Sequence, residues 1–318
     1  MARQESSVQN APSPELVTLY LQEELQQQIP LLPAAAGAQE IYRYGAFIGA
    51  EILCHRSLPR AMDFARDLIQ RQYSCHRSIA SGTVILADQL EQAKGRFTRT
   101  WHAPRGGIWG CLIHANTLLP KSRQIVPLAV GVAACQAVRM LLGDRAVLRW
   151  VNDVLVGGQK VAGFLVESYT EPIYGEDFTL VGFGINVNNS CFPKDIAAQA
   201  VSLSACLGET VSLTDFCARF LAKLAWNFGL IYHEEARYLR GDGYSGESGE
   251  HLVLASWRGL SDTIGRHILY GFDVITAPQY RGRALGIDGD GGLQIRLEDG
   301  FEKTEYSGEI RYLEAAGS

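Results

Sequence analysis

No two of the seven cysteines (Cys54, Cys75, Cys111, Cys135, Cys191, Cys206, Cys217) stand in a Cys-x-x-Cys pair. The sequence therefore offers no zinc site and no paired-thiol redox motif. Their odd number fits free, mostly buried thiols in a reducing compartment, so a cytoplasmic location is expected. No uninterrupted apolar run approaches the roughly 20 residues of a membrane helix, and no apolar stretch follows Arg3. Neither a bilayer span, nor a membrane partner, nor a secretory signal is expected. Positive charge is also short: 29 Lys+Arg face 34 Asp+Glu, a formal net charge of −5. That balance gives no bulk attraction to nucleic acid. No helix-turn-helix segment precedes the central region either, so no nucleic-acid partner is expected. What is present is an ordinary globular composition, 47% hydrophobic over 318 residues, enough for a sizeable core and more than one domain.

The first dozen residues are polar and read as loose. Ser13-Pro14-Glu15 opens a helix over 13–29, with Ser13 as cap and proline in the first turn. Leu21, Leu25 and Ile29 recur at spacing four as one apolar stripe, and Pro30 and Pro33 stop the helix. The stripe is read as packing on the next domain, with self-association as a homodimer the alternative. Residues 34–40 (AAAGAQE) read as a linker. Beyond it, strands are expected at 46–54, 83–88, 108–115, 147–150, 154–156, 161–166 and 178–188, and helices at 59–72, 125–142 and 213–232. Several strands follow one another through short turns, which predicts an α+β fold with a mixed or antiparallel sheet and helices on one side. The break GDGYSGESGE (241–250) is the best boundary. After it, short alternating strands joined by Asp-Gly turns predict a small β-barrel of about five strands. The expected division is 1–40, an extension with one helix; 41–240, the central domain; and 251–318, the barrel.

Three segments carry chemistry. In Arg149-Trp150-Val151-Asn152-Asp153 through Lys160 and Gly163 to Glu167, Gly157-Gly158 reads as a hairpin turn. The hairpin brings Asn152 and Asp153 near Lys160 and Gly163. A lone lysine entering an apolar strand is either a snorkelling edge residue or a functional one, and the adjacent polar pair favours function. In Lys94-Gly95-Arg96-Phe97-Thr98-Arg99-Thr100-Trp101, three cations and a glycine make a loop suited to carboxylate and phosphate oxygens, or simply a solvated turn. In Val181–Asn189, Gly182, Gly184, Asn186 and Asn188 share one face of a strand. Strand glycines there admit either a ligand or a packed helix.

Together these segments resemble the biotin protein ligase family. RWVNDVLVGGQKVAGFLVE is similar to that family's K-W-P-N-D…K-x-x-G-I-L-x-E block, and GFGINVN to its G-I-G-I-N-V-N strand. ADQLEQAKGRFTRTW is similar to its adenylate loop, G-R-G-R-x-G-R-x-W. Trp257, Thr263, Gly265, the run Gly286 to Gly291 and Tyr306-Ser307-Gly308-Glu309-Ile310 look like its C-terminal barrel. The resemblance spans roughly residues 45–315. It implies a class II synthetase-like biotin/lipoate ligase fold with an SH3-like barrel, without the N-terminal DNA-binding domain. It also implies a two-step reaction in which biotin's carboxylate attacks the α-phosphorus of ATP, with Mg²⁺, and a lysine of a carrier domain then takes the acyl group. The carrier is expected to be the biotin carboxyl carrier domain of a carboxylase or decarboxylase. Lys160 takes the catalytic position. Lys94, Gly95 and Arg96 take loop positions that hold the acid's carboxylate, its ureido end or the adenylate phosphate. Arg99 and Asn186 join the ATP site, Asn152 and Asp153 organise ATP and its metal, Trp101 closes over the nucleotide, and Gly163 admits the acyl group. No protein metal site is expected.

The sequence departs from the family at defined places. Ala93 replaces the loop's first glycine, Lys94 its first arginine, and Phe97 and Thr98 a later arginine and glycine. Val151 replaces the proline before Asn-Asp. The Ser-Thr-Asn element that contacts the head group appears as Arg60-Ala61-Met62. The head group's polar atoms must find partners: Gln89 and Gln92 are the candidates, or the acid is lipoate or octanoate. An octanoyltransferase would need a nucleophilic thiol, for which Cys111 and Cys191 are candidates, the other reading being inert cysteines. A non-catalytic ligand-binding paralogue is the third reading.

Overall fold

The computed structural model describes residues 11–32, 35–96, 99–246 and 249–313; Phe97 and Thr98 of the basic loop, and the extreme N-terminus, lie outside them. Helix α1 (Pro14–Gln28) starts as its sequence dictates, with Ser13 Oγ accepting from Leu16 N–H at 3.3 Å. Its stripe is buried: Val17, Leu21 and Leu25 pack into the main core, while Glu24 pairs with Lys223 on the long helix α6 (Leu213–Arg240).

Of the linker expected at 34–40, residue 34 lies outside the described residues and 35–40 are helical instead. Ala35–Gly45 is a helix, α2, which crosses the expected boundary at residue 40. An alanine-rich run has high helix propensity, and here it gains a partner in α6. A Cβ at Gly45 would sit 2.0 Å from the Ala225 carbonyl oxygen, and one at Gly229 2.1 Å from that of Ile41. The two backbones touch where only glycine fits. The strand expected from residue 46 consequently begins later, as β1 (Ile52–His55).

The remaining elements are α3 (Ala61–Ser74), β2 (Val84–Ala87), β3 (Ile108–Ala115), α4 (Pro120–Leu142), β4 (Ala146–Arg149), β5 (Asp153–Val156), β6 (Gln159–Thr170), β7 (Asp177–Ile185) and α5 (Leu203–Leu207). β7 stops short of the expected end at 188. The strands form one seven-stranded sheet in the order β1-β2-β3-β7-β6-β5-β4, in which only β1 and β2 run parallel. Helices α4 and α6 cover one face with the main core, and α3 covers part of the other, so the helices are not confined to the one side expected: Ile85, Cys111 and Ile113 make the second face apolar too. The segment 120–145 is, by length and a mean hydropathy of 1.9, apolar enough to cross a membrane. Its most apolar stretch is nevertheless 72% buried, and α4 packs against α6, the helical residues 252–260 and the sheet as a core helix.

After α7 (Leu252–Leu260) comes a second, antiparallel sheet of five strands, β8 (His267–Gly271), β9 (Tyr280–Ile287), β10 (Leu293–Leu297), β11 (Glu302–Glu305) and β12 (Glu309–Tyr312), ordered β11-β10-β9-β8-β12. It is fastened beside the Asn-Asp turn. Trp150 N–H donates to Thr263 Oγ1 at 3.1 Å, and its indole N–H to the Gly291 carbonyl at 3.4 Å.

Candidate active site

Alternation along β7 divides the large sheet into unlike faces. Val181, Phe183 and Ile185 point into the main core, while Gly182 and Gly184 leave the opposite face bare. A Cβ at Gly182 would lie 2.6 Å from Met62 Sδ of α3, and one at Gly184 2.7 Å from Trp101 Nε1. Gly163, the cross-strand partner of Gly184, is as crowded: its Cβ would meet Lys160 Cε at 2.6 Å and Trp101 Cζ3 at 3.1 Å. Gly182 admits a helix, one of the two readings of the strand glycines, while Gly163 and Gly184 admit the side chains of Lys160 and Trp101. Above them opens a cavity of about 560 Å³, walled by α3, residues 90–96 and 99–102 of the basic loop region, the segment 192–200 and the C-terminal sheet.

The hairpin turns at Gly157 and Gly158 (φ 58° and 80°), and a register shift follows Val154. This places the Lys160 ammonium on Asp153, whose other carboxylate oxygen accepts from Arg149 at 2.7 Å. Burial pushes the Asp153 carboxyl upward, but Lys160 and Arg149 outweigh it and hold the pKa at about 2. The lysine ammonium also stands 5.1 Å from the Trp101 ring centroid. Its main chain is clamped, with N–H to Gln199 O at 2.7 Å and carbonyl accepting from Val201 N–H at 3.1 Å. Asn152 and Asn186 line the same end, yet their amides serve the framework: Asn152 Nδ2 donates to the Phe164 carbonyl, and Asn186 Nδ2 to that of Lys160 at 3.5 Å.

The basic loop closes on itself through Gly95 N–H to Arg99 O and Trp101 N–H to Ala93 O, each 2.9 Å. Lys94, Gly95, Arg96, Arg99 and Trp101 all line the cavity. The two arginines are already engaged by the C-terminal sheet. Arg96 donates to the Gly308 carbonyl, and Arg99 to Asp273 Oδ1 at 2.8 Å and to Glu309. Burial lowers the Arg96 pKa from its usual value, against the opposing pull of Glu309 and Asp153.

Gln89 and Gln92 do not reach the cavity; the Gln89 amide donates to Ser57 Oγ at 3.4 Å. Arg60, Ala61 and Met62 do line it. Neither Cys111 nor Cys191 belongs to the wall. Cys111 is buried beneath α3, where desolvation pushes its thiol up, and Cys191 is exposed. All seven cysteines are free, but only three are fully buried, against the expectation that most would be. The sequence reading missed Arg149, signalled only by a cation four residues before Asp153, and Trp109, which lies opposite Gly184 on β3. No motif marked the segment 192–200.

Two family models match this chain: the biotin/lipoate A/B protein ligase family over residues 69–188 and the biotin protein ligase C-terminal domain over 265–311, together more than half of it. A Bacillus spizizenii protein named bifunctional ligase/repressor BirA is 30% identical over 236 residues, 72% of this chain and 66% of that protein. A Paracoccus denitrificans biotin–[acetyl-CoA-carboxylase] ligase is 33% identical over 137 residues, 41% of this chain and 55% of the relative. This chain thus spans about two thirds or less of the length of these two relatives. In fold it is similar to a solved Aquifex aeolicus biotin protein ligase in complex with biotin and ATP, with a TM-score of 0.63 at 20% identity, covering 83% of this chain and 99% of that one.

Proposed function

The chain belongs to the biotin/lipoate A/B protein ligase family, with the C-terminal domain of biotin protein ligases, and from that premise we propose that it adenylates biotin with ATP and transfers the biotinyl group to a lysine of a carrier domain. The observation that carries this reading is the Lys160–Asp153–Arg149 cluster at one end of a cavity floored by Gly163 and Gly184. In the first step a carboxylate oxygen of biotin bonds to the α-phosphorus, and the bond to pyrophosphate breaks with its electron pair. Two anionic groups must approach each other, so a fixed cation between them lowers the barrier. Lys160 supplies it, oriented by Asp153 and by its clamped main chain. In the second step the carrier's lysine amine attacks the acyl carbon, AMP leaves, and the amine loses a proton.

The cationic loop and Trp101 shield the mixed anhydride from water. Arg96 and Arg99 act chiefly by tying that loop to the C-terminal sheet, where both line the cavity. Mg²⁺ accompanying ATP would supply charge neutralisation at the phosphates, and Asn152 and Asp153, which line the cavity, would be the side chains that organise it there. The free cysteines suit a reducing cytoplasm, where carboxylase carriers would be met.

A lipoate or octanoate ligase is the second reading, favoured by the apolar Ala61 and Met62 at the cavity wall. Acid-dependent ATP–pyrophosphate exchange tests both, with biotin, lipoate and octanoate offered separately. Exchange with biotin is expected. Exchange with lipoate or octanoate alone moves the protein to the second reading, and exchange with none makes it a non-catalytic binder.

A further inference from the structure

One charged side chain stands among apolar ones in the cavity wall away from Lys160. Met62 covers Gly182, whose cross-strand partner is Leu165. That pair lies two residues along the sheet, about 7 Å, from the Gly163–Gly184 pair beside Lys160. Arg60, two residues before Met62, also lines the cavity, and its side chain is only 18% exposed. It ends a chain of charges that begins at Glu167. Glu167 pairs with Arg66, Arg66 NH1 with Asp63 Oδ1 at 2.8 Å, and Arg60 NH1 with Asp63 Oδ2 at 3.0 Å. This chain holds the guanidinium by NH1 alone. Among the described residues no hydrogen bond engages its Nε or NH2, which leaves three N–H donors on a side chain that lines the cavity together with Met62, Leu90 and Leu165.

We propose that Arg60 is the residue that reads the far end of the acid, donating from Nε and NH2 to a carbonyl-type oxygen such as the ureido oxygen of biotin. The inference rests on the ligase reading and names what selects the substrate within it. A plain acyl chain such as octanoate would bury those donors without an acceptor, and a site built around such donors rejects ligands that lack the matching group. A ureido oxygen satisfies them through a charge-assisted pair. In this chain a fixed cation thus does the work of the neutral Ser-Thr-Asn side chains that the sequence lacks.

Arg60→Ala tests it, because Arg60 makes no capping bond to α3 that the change would remove. The measurements are pyrophosphate exchange at varied biotin and calorimetric titration with biotin and with desthiobiotin, which keeps the ureido group. The expected result is a rise of about ten- to a hundredfold in KM and Kd for both ligands, with the smaller part of the loss in kcat. Arg60→Lys restores only part of it, since the charge returns without the fork. Should Arg60→Ala lower the thermal midpoint, Arg60→Gln is measured in its place and an intermediate loss is expected. Affinity for biotin within threefold of wild type overturns the proposal. Absence of biotin binding and exchange in the wild-type protein itself overturns the ligase reading instead.

Discussion

The two faces of the seven-stranded sheet are made by alternate residues of the same strands, yet they obey opposite rules. Toward α4 and α6, Val181, Phe183 and Ile185 fill the space, and Phe183 meets Phe220 edge to face at 5.3 Å. Toward the cavity, Gly182, Gly184 and Gly163 withhold side chains so that Met62, Trp101 and Lys160 can lie against the backbone. The closed face also refuses charge. His114 is fully buried there, shares a 2.7 Å hydrogen bond with the Tyr232 hydroxyl, and is held down to about 4 by desolvation. The open face keeps charge, with Asp153 held at about 2 as a carboxylate by its two cations. Stability is thus concentrated on one side of the sheet and chemistry on the other, and substitutions should separate the two.

The largest effect is expected on the closed face. Phe183→Ala should cost about 3–5 kcal/mol, since the ring is 4% exposed and packed against Phe220. Denaturant unfolding measures the loss. If the drop is instead below 1 kcal/mol, the closed face is not the stabilising one. Lys160→Ala addresses the open face. Exchange activity should fall by about 10²–10³-fold while the unfolding midpoint stays near wild type, because Arg149 still neutralises Asp153. Activity that survives removes Lys160 from its assigned role.

Acid should act through the closed face first. The unfolded chain's histidine takes a proton near pH 6.5, whereas native His114 refuses it until about 4. Its contribution is complete above pH 6.5 and is lost as the pH falls toward 4, at most about 3 kcal/mol. His251, also held down to about 4 by burial, adds a slope of the same sign. Asp153 adds a slope of the same sign in a lower window: its share is present above the usual carboxylate pKa of about 4 and is lost as the pH falls through about 2. Unfolding free energies at pH 7, 5.5 and 4.5 should therefore decline, and His114→Gln should flatten roughly half of the decline. An unchanged slope in that variant would place the acid sensitivity elsewhere.

What could be read from the sequence follows the same division. Periodicity marks a strand or helix wherever one face is uniformly apolar, so β3 and the core of α4 fall where expected. It fails where packing is backbone on backbone. Among the described side chains of the run 34–40 only Ala38 belongs to the buried stripe of α2, which continues through Ile41 to Gly45 against α6. In the site, Lys160 was legible because a lone lysine entering an apolar strand beside Asn152 and Asp153 is unusual, whereas Trp101 was placed only by the family resemblance of its loop. Arg149 was hidden as an ordinary strand-end cation, and its role exists only through Asp153. The engagement of Arg96 and Arg99 with Gly308, Asp273 and Glu309 joins residues some 170 to 210 positions apart, which no local pattern encodes.

The smallest expected effect is the sharpest test, because it concerns the residue next to Phe183. Gly184→Ala adds one methyl group to the open face. Strand propensity alone would make the change neutral or mildly stabilising, by up to about 1 kcal/mol. The new Cβ, however, would stand 2.7 Å from the Trp101 indole nitrogen and 2.8 Å from Cε2, so the ring must move off the sheet. Trp101 belongs to the loop that Arg96 and Arg99 hold in place, and its ring faces the Lys160 ammonium. The shift should therefore lower kcat/KM for exchange by about tenfold, some 1.4 kcal/mol of transition-state stabilisation, with no loss of unfolding free energy. Stability lost together with activity would mean that the glycines of β7 serve packing on both faces, and the division between them would fall.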